Sequence, residues 1–210
     1  MGVLHSIREA FAGRQLDPVT ELLIKQTDLA IEAVELANQA CAPKQDPREL
    51  KAPVKTLRAE TKEVGEEVVS EMSEALTVPL EREDLSRAAQ GLTAVTADAR
   101  DIVREMVLWD VQPGSWSEDA LLPAVASLQA LREALEENKY ESMAEPCRRA
   151  YSHATKIRAI HRKALTNLFE EELSMETLKR REVLHRVDMV GRHLADLSAT
   201  LLDALAKRFL

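Results

Sequence analysis

The residues best suited to chemistry are a few histidines and carboxylates in the last third of the chain. Glu182 and His185 have the Glu-x-x-His spacing with which di-iron carboxylate bundles direct two ligands at one metal ion. Those sites use the motif twice, and no other histidine of this chain follows a glutamate by three positions. An isolated pair is more often a coincidence than a ligand set, so we expect no metal site there.

Two pairs of histidines are spaced eight residues apart, His153 with His161 and His185 with His193. Such residues can share one face of a helix, from which a zinc ion could be bound. No cluster of acidic residues accompanies them, so we favour partly exposed histidines over zinc ligands. Cys41 and Cys147 belong to no paired-cysteine motif, which predicts two reduced, structural thiols.

Other catalytic machinery is not indicated. The chain has no nucleophile elbow, no Walker loop and no dinucleotide-binding glycine pattern. Only 6 of its 210 residues are glycine, which leaves little loop from which to build an active site. We therefore predict a protein that is not an enzyme and that carries no cofactor.

The elements that would position these side chains are helices. Aromatic residues make up only 3% of the chain, and long segments place aliphatic residues at mixed spacings of three and four. Start and stop signals predict seven helices: a short one over 3–13, one from Pro18 to the loop around Lys44, one from Asp46-Pro47 to the elbow at 76–85, one from there to about Trp109, and three over about 118–137, 146–172 and 175–208. Asp46 and Ser174 are the predicted N-caps of the third and last helices, and Pro53 is expected in the first turns of the third.

These helices predict an all-α fold of two antiparallel three-helix bundles built from long helices. We expect one domain over 1–210, with halves at approximately 17–110 and 115–210. No apolar stretch approaches the roughly 20 residues needed to span a bilayer, and the N-terminus lacks the pattern of a secretory signal, so a cytoplasmic location is predicted.

The charge is unevenly distributed. The formal net charge is -8, which argues against binding to nucleic acid. Residues 148–192 carry 11 cationic and 6 acidic side chains, whereas residues 1–147 carry 15 cationic and 28 acidic ones. The split indicates either two surfaces with different partners or helices that pair opposite charges when they pack, and the second is the more frequent case.

The segment Leu76-Thr77-Val78-Pro79-Leu80-Glu81-Arg82-Glu83-Asp84-Leu85 joins two long helices. Pro79 ends the first helix, and the acidic residues after it place negative charge at the positive end of the next. This elbow resembles the helix-ending turn of the PhoU-like phosphate-transport regulators, in the branch associated with low-affinity (Pit-type) phosphate permeases. Leu168-Phe169 before three glutamates, and Lys179-Arg180-Arg181-Glu182, are similar to later motifs of that family. The resemblance extends over nearly the whole chain in helix order, although only the elbow is distinctive.

The resemblance implies Glu-x-x-x-Asp pairs that bind metal clusters, and this chain departs from them. Four-residue spacing puts two carboxylates on one helix face, where they can share a hard cation. The aligned positions here are Arg58 with Lys62, Ala154 with Arg158, Asp188 with Arg192, and Thr93, Ala94 and Ala97 after the elbow. Cationic side chains repel a metal ion, so the family's metal site is not carried over.

Two interpretations of these replacements remain open. The cations can pair with neighbouring acids where a metal once joined the helices, which is the more frequent outcome. Alternatively, Arg58, Lys62, Arg158 and Arg192 can converge on a groove that holds phosphate or another anion, because guanidinium groups match oxyanions with two parallel hydrogen bonds.

The resemblance implies a regulator or accessory protein of inorganic phosphate transport that acts by protein contact. Its expected partner is a phosphate permease or a signalling protein, approached from the cytoplasmic side without insertion into the membrane. Glu81, Glu83 and Asp84 are the predicted docking residues, and self-association is a further expectation. The alternative is a metal-free helical scaffold that keeps the fold without a role in phosphate transport.

Overall fold

The computed structural model describes residues 17–75, 78, 80–112, 117, 119–137 and 139–208. Within that part the chain forms helices α1 (Pro18–Ala40), α2 (Pro47–Glu74), α3 (Arg82–Trp109), α4 (Leu122–Glu136), α5 (Tyr140–Phe169) and α6 (Met175–Lys207). All regular elements in the described part are helical, which confirms the predicted all-α class. The predicted helix over 3–13 lies outside the described residues.

Helix starts agree with prediction where a nearby side chain caps the helix. The Asp46 carboxylate accepts a hydrogen bond from the amide of Arg48. Ser174 and Thr177 form a capping box at the start of α6, which satisfies amides that have no partner within the helix. Pro53 lies inside α2 near its start, as predicted.

Two predicted starts are wrong. Helix α4 begins at Leu122 because its cap comes from another helix: the Leu121 amide donates to Asn38 Oδ1 at the end of α1, at 3.1 Å. Ser117, just before the predicted start near 118, caps none of the described helices with its side chain and donates instead to the Cys41 carbonyl. Helix α5 begins at Tyr140 and includes Pro146 in its second turn. Pro146 is buried there, and this packing offsets the backbone hydrogen bond that proline cannot donate.

The helices form two three-helix bundles. Helices α1, α2 and α3 pack against one another, and α4, α5 and α6 do the same. The bundles are joined where α1 packs on α4 and α3 packs on α6, whereas α2 has no contact with α5 or α6. This arrangement confirms the predicted pair of bundles.

One continuous aliphatic core runs through both bundles. Leu23 and Ile102 lie in the first bundle, Leu128 and Leu194 in the second, and all four belong to the same cluster of buried side chains. A smaller cluster of Ala164, Leu168 and Leu184 lies where α5 and α6 meet. Burial of such side chains stabilises the fold by about 1.5–3 kcal/mol each.

The elbow joins α2 to α3, with the helix end and helix start that the sequence predicts. Leu80 is buried, and the Arg82 guanidinium donates to the Ala75 carbonyl at 2.7 Å. Leu76, Thr77 and Pro79, on which the prediction rested in part, lie outside the described residues. None of the described helices is long and apolar enough to cross a bilayer.

Candidate functional site

A groove of about 540 Å³ lies between α2, which has no contact with α5 or α6, and α3. Its charged lining consists of Lys55, Arg58, Lys62 and Arg100 with Glu63 and Glu66. The three cations of α2 are spaced at three and four residues, so they share one helix face. The groove thus has two more cationic than acidic side chains.

The cations of this groove differ in how well they are paired. Lys62 Nζ lies 3.0 Å from Glu66 Oε1, and one Arg100 amino group lies 2.9 Å from Asp101 Oδ1. Arg58 is half-buried and has no hydrogen bond or ion pair with any described residue, and exposed Lys55 likewise has none. Arg100 Nε is buried and has no acceptor among the described residues.

The structure brings together two of the four cations that the sequence assigned to an anion site. Arg58 and Lys62 line the groove, but Arg158 and Arg192 lie on α5 and α6, which do not contact α2. Arg192 Nε donates to Asp188 Oδ2 at 2.6 Å, as the ion-pair interpretation expects. Arg100 was missed because nothing in the sequence shows which residues of α3 face α2, whereas the spacing of Lys55 three residues before Arg58 was a signal that could have identified it.

A second, mostly apolar hollow of about 360 Å³ lies beside the groove and shares Lys62 with it. Below it, fully buried Gln26 donates through Nε2 to the carbonyls of Thr61 and Ala89, so its amide links all three helices of the first bundle. A Cβ at Gly65 would lie 2.7 Å from Gln26 Nε2, so glycine is required for this close approach. Gln26 was not predicted from sequence, although a polar residue on the buried face of α1 is a signal that could have identified it.

The three predicted docking carboxylates have different environments. Glu81 and Glu83 are exposed, and Glu83 pairs with Arg87. Asp84 is only 1% exposed, and Lys207 Nζ lies 2.9 Å from its Oδ2 and 3.2 Å from Glu81 Oε2. Asp84 therefore offers no surface to a partner and instead fastens the end of α6 to the start of α3.

Histidines and carboxylates meet between helices. His193 Nδ1 lies 2.6 Å from Asp98 Oδ2 on α3, and this hydrogen bond raises the pKa of His193. His161 Nδ1 lies 3.7 Å from buried Asp188 Oδ1, while burial lowers the pKa of His161. Glu182 and His185 are both exposed. The described residues contain no group of three or more side chains placed to hold a metal ion.

A partly buried ion pair also joins α3 to α6. Arg186 donates through Nε and one amino group to Glu105 Oε1, at 3.0 and 2.8 Å. Glu105 Oε2 is buried without a partner among the described residues. These contacts show that the charges of α6 serve to pack the two bundles, as the more frequent interpretation of the charge split expects.

The fold matches solved structures of PhoU-like proteins over most of the chain. A PhoU-like protein from Shewanella oneidensis MR-1 superposes with a TM-score of 0.75 and 12% identity, covering 90% of this chain and 99% of that one. A second protein from the same organism, named for a PhoU-like phosphate regulatory role, gives a TM-score of 0.64 with the same identity and coverage. The protein therefore has a PhoU-like fold. No protein-family model and no curated protein sequence matches the chain.

Proposed function

We propose that this protein is a regulator or accessory protein of inorganic phosphate transport that acts by contact with a permease or a signalling protein. The supporting observation is the PhoU-like fold over 90% of the chain, shared with a protein named for phosphate regulation. The resemblance of the elbow to the branch associated with Pit-type permeases supports a permease of that type as the partner.

The proposed contact surface is acidic. Cytoplasmic loops of membrane transporters are rich in Lys and Arg, so an acidic partner on the cytoplasmic side gains from complementary charge. Exposed Glu81 and Glu83 at the elbow provide such charge, together with the acidic excess of residues 1–147. The protein would then work in the cytoplasm, peripheral to the membrane, by binding and not by catalysis.

An alternative is a scaffold that has kept the fold and lost the ligand of the family. The observation in its favour is the Arg192–Asp188 ion pair, which stands where the resemblance places the last metal-binding pair. Degeneration of the other aligned pairs agrees with it. In that case the protein would contact no permease, and a permease gene adjacent to its own would not be expected.

Recovery of a permease from membranes tests the proposal. We expect the full-length protein to capture a phosphate permease at low salt, and the yield to fall steeply as ionic strength rises through the physiological range. The double variant Glu81→Lys and Glu83→Lys should reduce the yield further, because it reverses exposed charge at the docking surface.

The matched control reverses Glu170 and Glu172, which are exposed at the α5–α6 turn, have no ion pair with a described residue and lie far from the elbow in sequence. It should affect recovery less than the elbow variant. Asp84 is left unchanged in this test because its reversal would damage the fold. If no transporter is recovered at low salt, the scaffold is favoured; recovery that does not depend on salt keeps the partner and rejects the electrostatic mechanism.

A further inference from the structure

We propose that the groove between α2 and α3 binds a phosphate oxyanion through Lys55, Arg58, Lys62 and Arg100. The proposal concerns a ligand of the isolated protein, so it goes beyond the transport role and would hold even if no permease were contacted. It also differs from the site expected from sequence, because Arg158 and Arg192 take no part.

Arg58 lacks the nearby carboxylate that most arginines of the described part have. Most arginines in the described part of the chain lie within 4.0 Å of a carboxylate, including Arg48, Arg87, Arg132, Arg149 and Arg186. Arg58 is half-buried and has no such partner among the described residues. A guanidinium that loses part of its hydration without a counter-charge is costly, and a bound oxyanion would supply that charge.

The opposite wall of the groove contains Arg100 of α3. Arg100 Nε is buried, and no described residue accepts its hydrogen bond. Buried donors are nearly always satisfied, and Asp101 Oδ1, which lies 2.9 Å from an Arg100 amino group, is itself buried without a hydrogen bond, so it does not accept from Nε in this arrangement. An oxyanion between Arg58 and Arg100 would accept from both helices.

The size and net charge of the groove suit a phosphate ligand. Lys55 and Lys62 are seven residues apart on α2, which corresponds to about 10 Å along the helix. The groove has a volume of about 540 Å³, which exceeds that of one phosphate ion. It therefore has room for a linear chain of phosphoryl groups as well as for orthophosphate. Glu63 and Glu66 also line the groove; because Lys62 pairs with Glu66 and Arg100 with Asp101, Lys55 and Arg58 against Glu63 leave one net positive charge.

Calorimetric titration of the full-length protein tests this site. Orthophosphate and tripolyphosphate are titrated separately, with chloride as the only other anion. We expect Arg58→Gln to weaken binding of the phosphate ligand by about tenfold or more, since it removes a charge-assisted hydrogen bond. Lys55→Gln should give a smaller loss, because Lys55 is exposed. Binding of orthophosphate identifies the free ion as ligand, and binding of tripolyphosphate alone identifies a condensed chain.

The control variant is Arg158→Gln, which removes an exposed, unpaired arginine of α5 outside the groove. It should bind as the wild type does. Amide hydrogen exchange provides a second measurement: the ligand should protect α2 and α3 in the groove and leave α5 unchanged. The proposal is overturned if neither ligand binds at millimolar concentration, or if Arg158→Gln weakens binding as much as Arg58→Gln. Failure here would leave permease recovery, and thus the proposed function, unaffected.

Discussion

His193 lies between α6 and α3, His161 lies between α5 and α6, and their pKa values are shifted in opposite directions. The hydrogen bond to Asp98 raises the pKa of His193 above the ordinary 6.5. Its stabilising effect is complete below the unfolded pKa and is lost as pH rises through the folded value. For His161, desolvation lowers the pKa, with Asp188 opposing and His185 and Arg192 assisting. That group removes stability as pH falls through 6.5 towards its folded pKa.

We therefore predict that two single substitutions change the pH dependence of stability in opposite senses. His193→Gln should reduce the loss of unfolding free energy as pH rises above about 6.5, and His161→Gln should reduce the loss below it. Urea unfolding of both variants and the wild type over a pH series measures these slopes. Unchanged slopes in both variants would contradict the assignment of these interactions.

For single residues, the sequence predicted the charge of a side chain better than it predicted which other side chains surround it. Arg58 and Lys62 were identified because they stand where the family resemblance puts its first metal-binding pair, four residues apart on one helix. Arg100 could not be found, because its position opposite Arg58 depends on how α3 packs on α2. The burial of Asp84 could not be predicted either, because its partner Lys207 lies on the last helix.

Among the elements, α5 and α6 approach each other closely at Gly191. A Cβ there would lie 2.9 Å from Ile157 Cβ and 3.3 Å from the Ala154 carbonyl oxygen. Ile157 is fully buried and Ala154 O is backbone, so neither can yield easily. The absence of a Cβ at Gly191 therefore allows these two helices to lie this close together.

We predict that Gly191→Ala lowers stability, because overpacking costs about 1–3 kcal/mol. Alanine in a helix interior offsets about 1 kcal/mol of that cost, so the net loss should be up to about 2 kcal/mol. Gly91→Ala is the control, because its Cβ would meet the Leu197 side chain at 3.3 Å, so a smaller effect is expected. Chemical denaturation measures both, and a Gly191→Ala protein at least as stable as wild type would show that the helices can separate freely.

Helix boundaries were predictable wherever the signal was local. Asp17, Asp46 and Ser174 each cap the helix that follows them within three residues. The start of α4 was missed because Asn38, its cap, is more than eighty residues earlier in the chain. A cap supplied by another helix leaves no pattern near the start that it stabilises.

For the whole molecule, the continuous core couples the two bundles. Cys41 at the end of α1 and Cys147 in α5 belong to the same buried cluster. Burial raises the pKa of each thiol to about 12, so both are protonated at neutral pH and inaccessible to reagents. The proposed division into halves at 17–110 and 115–210 stays a prediction about architecture, not about independent stability.

We predict that both thiols become reactive together, in one cooperative transition. Labelling with a thiol reagent across a urea series should give the same midpoint for Cys41 and Cys147, coincident with the loss of helical circular dichroism. The variants Cys41→Ser and Cys147→Ser allow each thiol to be followed alone. Reaction of one thiol at a clearly lower urea concentration would show that its bundle unfolds independently.

The contact of Lys207 with Asp84 and Glu81 has a consequence for biosynthesis. The start of α3 is made early, but the cation that neutralises its buried carboxylate is added more than a hundred residues later. Until residue 207 has left the ribosome, the nascent first bundle lacks Lys207 beside Asp84, whose other cationic neighbour is Arg87 at 4.0 Å, and its α3 face is not covered by α6. We expect that interval to be the stage at which chaperones are most needed by this chain.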